Sequence, residues 1–133
     1  MLDVCAAVIV RDGQFLLASR PPGRHLEGKW EFPGGKVHDG ETLEACICRE
    51  ISEELGLTIR DPVFLTTVEH RYQEKHVRLH FMAGVLTGEA EPICHDGQQA
   101  GWFSLARLTN LDLAPADRSF VDWIRRHHDH FVN

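Results

Sequence analysis

The chain has 133 residues, 43% of them hydrophobic and 26% charged, which is typical of one globular domain and excludes a disordered protein. Its formal net charge of −6 opposes binding to nucleic acid polymers, so a phosphate ligand needs local positive charge. No apolar run reaches the roughly 20 residues of a membrane helix, and the first residues lack the layout of a signal peptide. We therefore expect one cytoplasmic domain over residues 1–133 that has no membrane partner.

Strand and turn signals dominate the first 35 residues. Leu2 to Val10 is apolar, Arg11-Asp12-Gly13 supplies a turn, and Gln14 to Ser19 is again apolar, so this stretch predicts a hairpin. Proline and glycine between Arg20 and Lys29 predict a loop. The short aromatic run after it, Trp30-Glu31-Phe32, stops abruptly at Pro33-Gly34-Gly35.

Thr42 to Leu55 is predicted to be a helix, because apolar residues recur four apart from Leu43. Thr42 can cap its start, and Gly56 can end it.

The remainder of the chain predicts two long strands, two short strands and a final helix. These elements are expected at Val63 to Tyr72, His76 to Thr87, Ile93 to His95, Gly101 to Leu105 and Ala116 to His128.

Cysteine and histidine do not show the spacing of a metal site. The cysteines contain no Cys-x-x-Cys pair, so we expect reduced thiols at Cys5, Cys46, Cys48 and Cys94. Among the histidines, His76 and His80 alternate with apolar residues, whereas His127, His128 and His130 lie in the polar terminus. Structural histidines are the better interpretation, because a metal cluster needs convergent ligands.

Three glutamates of the predicted helix lie on one arc beside its apolar face. At about 100° per residue, Glu50, Glu53 and Glu54 adjoin the stripe that contains Ile47 and Ile51. Carboxylates three or four positions apart repel each other, so a bound cation would explain the cluster, and hard oxygen ligands suit Mg²⁺ or Mn²⁺. The alternative from composition alone is an ordinary solvated helix face.

The stretch from Gly35 to Leu57 resembles the Nudix box at every specified position, including Glu41, Arg49-Glu50-Ile51, Glu53-Glu54 and Gly56-Leu57. Further segments resemble the MutT-type branch of the Nudix hydrolases. They are Ser19-Arg20-Pro21, Trp30 to Lys36, Asp96 to Trp102 and Leu113-Ala114-Pro115-Ala116-Asp117.

The resemblance implies an α/β (α+β) fold, a Nudix α/β/α sandwich around a mixed sheet. It also implies Mg²⁺-dependent hydrolysis of a nucleoside triphosphate to the monophosphate and pyrophosphate. By the same resemblance Glu50, Glu53, Glu54 and the Gly34 carbonyl ligate the metal, and Arg49 orients the glutamates. Glu41 is expected to support the box without binding the metal.

The catalytic base stays open between two residues. The MutT-type pattern has a glutamate where this chain has Asp96, whose side chain is one methylene shorter. Asp96 could therefore act through water or be an ordinary turn aspartate, and Glu53 is the rival base. Arg20 and Lys36 are expected to contact the triphosphate, with surface cations as the alternative.

Two residues are candidates for binding the nucleobase. Phe32 resembles an aromatic of the MutT-type base pocket, and the alternative is a core phenylalanine. Asp117 stands where the branch specific for 8-oxo-dGTP commonly has asparagine, and its alternative role is a first-turn acid of the final helix. An ionised aspartate only accepts hydrogen bonds, whereas a buried protonated one regains a donor.

The expected substrate is a small nucleoside triphosphate, and 8-oxo-dGTP is favoured over CTP or a modified dCTP. A noncatalytic nucleotide-binding sensor and a structural metal-binding domain are the alternatives from other classes. The sequence leaves the oligomeric state open.

Overall fold

A computed structural model describes residues 1–73 and 75–127. In chain order the elements are β1 Leu2–Val8, β2 Val10–Arg11, β3 Gln14–Ser19, β4 Trp30–Glu31, β5 Gly34–Lys36, α1 Leu43–Leu55, β6 Ile59–Tyr72, β7 Lys75–Leu86, β8 Ala100–Phe103, α2 Leu105–Leu108 and α3 Pro115–Arg126. The expected mixed α+β architecture is confirmed. None of the described helices has the length and apolar character needed to traverse a bilayer.

The strands form two sheets. The larger sheet has the order β5-β1-β7-β6 and is mixed, because β1 runs parallel to β7 and antiparallel to β5. In the smaller sheet β3 pairs with β2, with β4 and with β8, all antiparallel. The prediction of one strand from Leu2 to Val10 is wrong, because the chain changes sheets at Ile9 and only β2 forms the hairpin with β3. As a central strand of the larger sheet, β1 is apolar on both faces.

Helices cover both faces of the larger sheet. On one face α1 buries Ile47 and Ile51 against β1 and β7. On the other face α3 buries Phe120, whose ring stacks on Phe81 of β7 with centroids 3.8 Å apart. The predicted caps of α1 are confirmed, because the Thr42 hydroxyl accepts a hydrogen bond from the Ala45 N–H and Gly56 has a φ of 66°.

The prediction of a strand at Ile93 to His95 is wrong. These residues belong to a loop that is anchored at the end of α1, where the Ile93 N–H donates to the Leu55 carbonyl at 2.9 Å. The short helix α2 was not predicted, and the Ser104 hydroxyl caps it. Helix α3 is confirmed up to Arg126, while His128 and His130 lie outside the described residues.

Cys5 and Cys46 form a disulfide, so the expectation of reduced thiols is wrong for this pair. Both are fully buried where β1 meets the inner face of α1, 41 positions apart in sequence. Among the described residues Cys48 and Cys94 are free.

We expect two thiols to react with a thiol reagent when the protein is unfolded without reductant, because the chain contains four cysteines and the buried pair is bonded. Prior reduction should raise the count to four. By the chain-entropy relation, reduction should also lower the free energy of unfolding by about 4 kcal/mol. Four reactive thiols before reduction would contradict the disulfide.

Candidate active site

Arg49 is the centre of the hydrogen-bond network on α1. Its Nε and Nη2 atoms donate to both oxygens of Glu41 at 2.6 and 2.9 Å, and its Nη1 donates to Glu50 at 2.7 Å and to Glu53 at 3.1 Å. Together with the His38 N–H, the Arg49 guanidinium lowers the pKa of Glu41 to about 2. Glu41 is therefore a fixed counter-ion for Arg49, which agrees with a supporting role.

The two glycines of β5 allow the backbone to approach the acidic helix closely. A Cβ atom on Gly35 would overlap the carboxylate of Glu50, and a Cβ atom on Gly34 would overlap the Cys5 carbonyl of β1. The strand can fit between β1 and α1 only because both positions lack a side chain. This packing explains why the aromatic run stops at a glycine pair.

Glu54 carries the most perturbed carboxyl group of the helix. Burial raises its pKa to about 7, and the negative charges of Glu31 and Glu50 add to the shift. The Gln98 side chain donates to its Oε1 at 2.8 Å and opposes the shift. A half-buried carboxyl with acidic neighbours is the kind of group that a nearby cation stabilises in its charged form.

Two of the predicted metal ligands, Glu50 and Glu53, lie around Arg49 rather than around a preformed metal position. Within residues 1–73 and 75–127, no group of three His, Cys, Asp or Glu side chains surrounds a common point. Glu50 and Glu53 both face Arg49, and Glu54 faces Gln98. The donor set of carboxylates beside the Gly34 backbone nevertheless fits Mg²⁺ or Mn²⁺, because these ions prefer hard oxygen ligands.

A cavity of about 380 Å³ lies beside the acidic helix. Glu53, Glu54 and Gly34 line it together with Asp96, which the loop after Cys94 carries in a left-handed conformation with a φ of 55°. The structure therefore brings Asp96 to the predicted acids. The sequence analysis did not single out the other lining residues of this cavity, which are Pro21, Arg24, Glu31, His95 and Gln98.

A second cavity of about 480 Å³ lies on the α3 side of the larger sheet. Phe32 and Leu79 contribute apolar wall, and Asp117 and Tyr72 contribute polar groups. Phe32 is a core residue as well, since its ring makes edge contacts with Phe81 and Phe120. Both roles considered for Phe32 are thus compatible.

Asp117 is buried at the start of α3, with 2% of its surface exposed. Its Oδ1 accepts a hydrogen bond from the Phe32 N–H at 2.9 Å. Burial raises the pKa of Asp117 well above the ordinary aspartate value, and repulsion from Glu31 adds to the shift. Burial therefore favours the neutral form of this carboxyl, which can donate a hydrogen bond, whereas the bond from the Phe32 N–H favours the ionised form.

The two predicted phosphate ligands occupy different positions. Arg20 lines both cavities, and its Nε donates to the His25 carbonyl at 3.0 Å. Lys36 is exposed and lines the larger cavity but not the smaller one. Of the two predicted cations, Arg20 is thus the one at the acidic cavity.

His76 and His80 have polar side-chain partners within the protein. His80 lies 2.8 Å from the Thr67 hydroxyl and 2.9 Å from Asp3, and His76 lies 3.0 Å from Glu69. These contacts agree with structural roles.

Comparisons with known proteins match this chain to one family. The NUDIX domain model matches residues 1–124. The chain is 31% identical to the 8-oxo-dGTP diphosphatase of Escherichia coli strain K12 over 126 residues, which cover 94% of this chain and 97% of that protein. It is 34% identical to the CTP pyrophosphohydrolase of the same strain over 118 residues, covering 88% and 86%. The crystal structure of the MutT protein from Methanosarcina mazei Go1 superposes with a TM-score of 0.85 at 28% identity, covering 96% and 94%.

Proposed function

The chain belongs to the NUDIX family, and from that premise we propose that it hydrolyses a nucleoside triphosphate to the monophosphate and pyrophosphate, with 8-oxo-dGTP as the favoured substrate. The observation that carries the proposal is the pairing of two adjoining cavities. The smaller is lined by acids that suit a divalent cation and the larger by apolar walls around Asp117. A nucleotide has the matching division between an anionic phosphate chain and an uncharged aromatic base with a polar edge.

At the phosphates, the acidic residues would bind the metal ion and Arg20 would contact the phosphate oxygens. Glu50, Glu53, Glu54 and the Gly34 carbonyl would hold Mg²⁺ or Mn²⁺, which would supply positive charge for the phosphates and make a water easier to deprotonate. Arg20, which lines the smaller cavity, would donate to phosphate oxygens and offset the net charge of the protein. Glu53 and Asp96 both line this cavity, so either would accept the proton of the attacking water.

Asp117 would select the base through its protonation state. A neutral carboxyl offers one donor and one acceptor, as an asparagine amide does, and that pair suits the edge of an oxidised guanine. The ionised form only accepts, which suits the amine of cytosine and is the basis of the CTP alternative. The raised pKa of Asp117 favours the first assignment.

We expect the ratio of kcat/KM for 8-oxo-dGTP to that for CTP to fall about 10-fold or more as pH rises through the raised pKa of Asp117, because ionisation removes the donor. The charged and polar groups facing Asp117 are Glu31, Arg20, Tyr72 and the Phe32 N–H. In Asp117→Asn the ratio should favour 8-oxo-dGTP and stay constant with pH. Ionisations at the metal site affect both substrates and cancel in this ratio. Equal ratios in the two proteins at every pH would show that Asp117 does not select the base.

The same substitution has a consequence for stability. In the unfolded chain Asp117 ionises at its ordinary pKa, but in the folded protein it keeps its proton to higher pH. The folded state therefore binds more protons, and the free energy of unfolding falls as pH rises between the two pKa values. We expect Asp117→Asn to weaken this fall, which thermal unfolding at several pH values measures.

The function itself is tested by pyrophosphate release with Mg²⁺ over a panel of ordinary and oxidised nucleoside triphosphates, dinucleotide polyphosphates and nucleotide sugars. We expect the highest kcat/KM for 8-oxo-dGTP, with the monophosphate as second product. Nucleotide binding without turnover would instead support a sensor module. Preferred hydrolysis of a nucleotide sugar would contradict a triphosphate substrate.

A further inference from the structure

The loop between β7 and β8 presents one neutral side chain to a predicted metal ligand. Gln98 is half-buried in this loop, and its Nε2 atom donates to Glu54 Oε1 at 2.8 Å. The contact joins residues 44 positions apart, and both residues line the smaller cavity. An amide carries no charge and accepts no proton from water, so the place of Gln98 beside Glu54 requires another explanation.

The backbone fixes the position of Gln98 independently of its side chain. Asp96 and Gly97 are consecutive residues in the left-handed region, with φ of 55° and 80°. The Gln98 N–H closes this turn with a backbone hydrogen bond of 3.0 Å. The next residue, Gln99, donates its N–H to the Ser19 hydroxyl at 2.9 Å, and the Ser19 N–H donates to the Gln99 carbonyl at 2.8 Å. Replacing the side chain of Gln98 should therefore leave the loop in place.

Glu54 is held differently from the other two acids of the helix. Glu50 and Glu53 bond to the Arg49 guanidinium, whose positive charge offsets their own. The donors to Glu54 are instead neutral, namely the Gln98 amide and a backbone N–H of β5. A carboxylate can accept about four hydrogen bonds, so two donors leave lone pairs for a metal. A neutral donor also orients a carboxylate without cancelling its charge, and the charge of Glu54 remains for a cation.

We propose that Gln98 is a positioning residue, which orients the Glu54 carboxylate so that it binds the divalent cation of the smaller cavity. The inference rests on the proposed function and concerns a side chain that acts through Glu54. Hydrogen-bond partners of a metal-ligating carboxylate fix the direction of the ligand, and their loss typically lowers metal affinity about 10- to 100-fold. The same bond connects Glu54 with the loop that carries Asp96, so two sides of the cavity are held together.

The test is the affinity for Mn²⁺ alone, measured from the electron paramagnetic resonance signal of free Mn²⁺ in the absence of nucleotide. Gln98→Met keeps an unbranched side chain of similar length and removes the donor, so we expect the dissociation constant for Mn²⁺ to rise about 10-fold or more. The midpoint of thermal unfolding without metal should stay close to the wild-type value, because backbone bonds hold the loop. With nucleotide, the metal concentration for half-maximal activity should rise, and excess Mn²⁺ should restore most of kcat.

Gln99→Met is the matched control. Gln99 is the next residue of the same loop, its side chain is exposed, and its bonds to Ser19 come from the backbone. The substitution should therefore leave the affinity for Mn²⁺ and kcat near their wild-type values. An equal loss of affinity in both variants would show a general disturbance of the loop and would overturn the inference.

A direct contact between Gln98 and the phosphates would give a different result. In that case Gln98→Met should raise KM for the nucleotide and leave the affinity for Mn²⁺ unchanged, which would also overturn the inference. Because the Mn²⁺ measurement needs no turnover, the two proposals fail separately. Hydrolysis with an unchanged affinity in Gln98→Met contradicts only the role of Gln98. A weakened affinity in a protein that does not hydrolyse nucleotides contradicts only the proposed function.

Discussion

In Glu53→Gln we expect kcat for the preferred triphosphate to fall by about 10²- to 10⁴-fold, the range typical of removing a group that binds metal or transfers a proton. The fold should stay intact, because the Glu53 side chain is 61% exposed and its contact is an i,i+4 ion pair with Arg49 at 3.1 Å. Such an exposed pair contributes about 1 kcal/mol or less to stability. Steady-state kinetics and thermal unfolding of the same preparation measure both effects.

Glu44→Gln is the control for this experiment. Glu44 is an exposed glutamate in the first turn of the same helix, so its replacement removes an equal charge away from the cavity. It should leave kcat near the wild-type value. A kcat near the wild-type value for Glu53→Gln in saturating Mg²⁺ would show that Glu53 neither binds the metal nor transfers the proton. Asp96→Asn is the third variant, because Glu53 and Asp96 are the two candidate bases. The catalytic base is the residue whose replacement removes the rise of kcat with pH at acidic pH.

The second large effect is expected in Gly35→Ala, which adds one methyl group where the Glu50 carboxylate packs against β5. Relieving this overlap would move Glu50 away from β5 and disturb its 2.7 Å bond to Arg49. We expect a loss of about 1–3 kcal/mol in stability, as for overpacked sites, and a loss of about 100-fold in kcat/KM through displacement of catalytic groups. Denaturant unfolding and metal-dependent kinetics measure the two losses.

A double-mutant cycle identifies the cause of that loss. In the Glu50→Ala background the carboxylate is absent, so Gly35→Ala should cost much less stability than in the wild type. A coupling of about 0.5–3 kcal/mol is expected for residues in contact. Equal costs in the two backgrounds would show that the damage arises elsewhere, and the packing argument for Gly35 would be wrong.

The parts of this fold that were predictable are those fixed by neighbouring residues. Helix α1 follows from apolar spacing between a threonine and a glycine, and all three signals lie within one segment. The long strands β6 and β7 likewise follow from local composition, and only their ends shift. The acids of the box were predictable for the same reason, because a helix fixes their relative directions.

Pairing partners were not predictable in this way. The division of the first apolar run between two sheets depends on β7, which begins more than sixty positions later in the sequence. The disulfide depends on the same packing, since β1 and α1 meet only in the folded protein. The segment from Ile93 to His95 has strand-like residues, but its Ile93 N–H bonds to the end of α1, so the tertiary contact outweighs local propensity.

By itself the sequence determined the helix, the acidic cluster and the family, because each is encoded in short-range spacing. Only the tertiary structure decided that Asp117 is buried and that Glu31 lies between two cavities. The physical reason is that burial and charge environment depend on groups distant in the chain. The bond between the Phe32 N–H and Asp117 joins residues 85 positions apart.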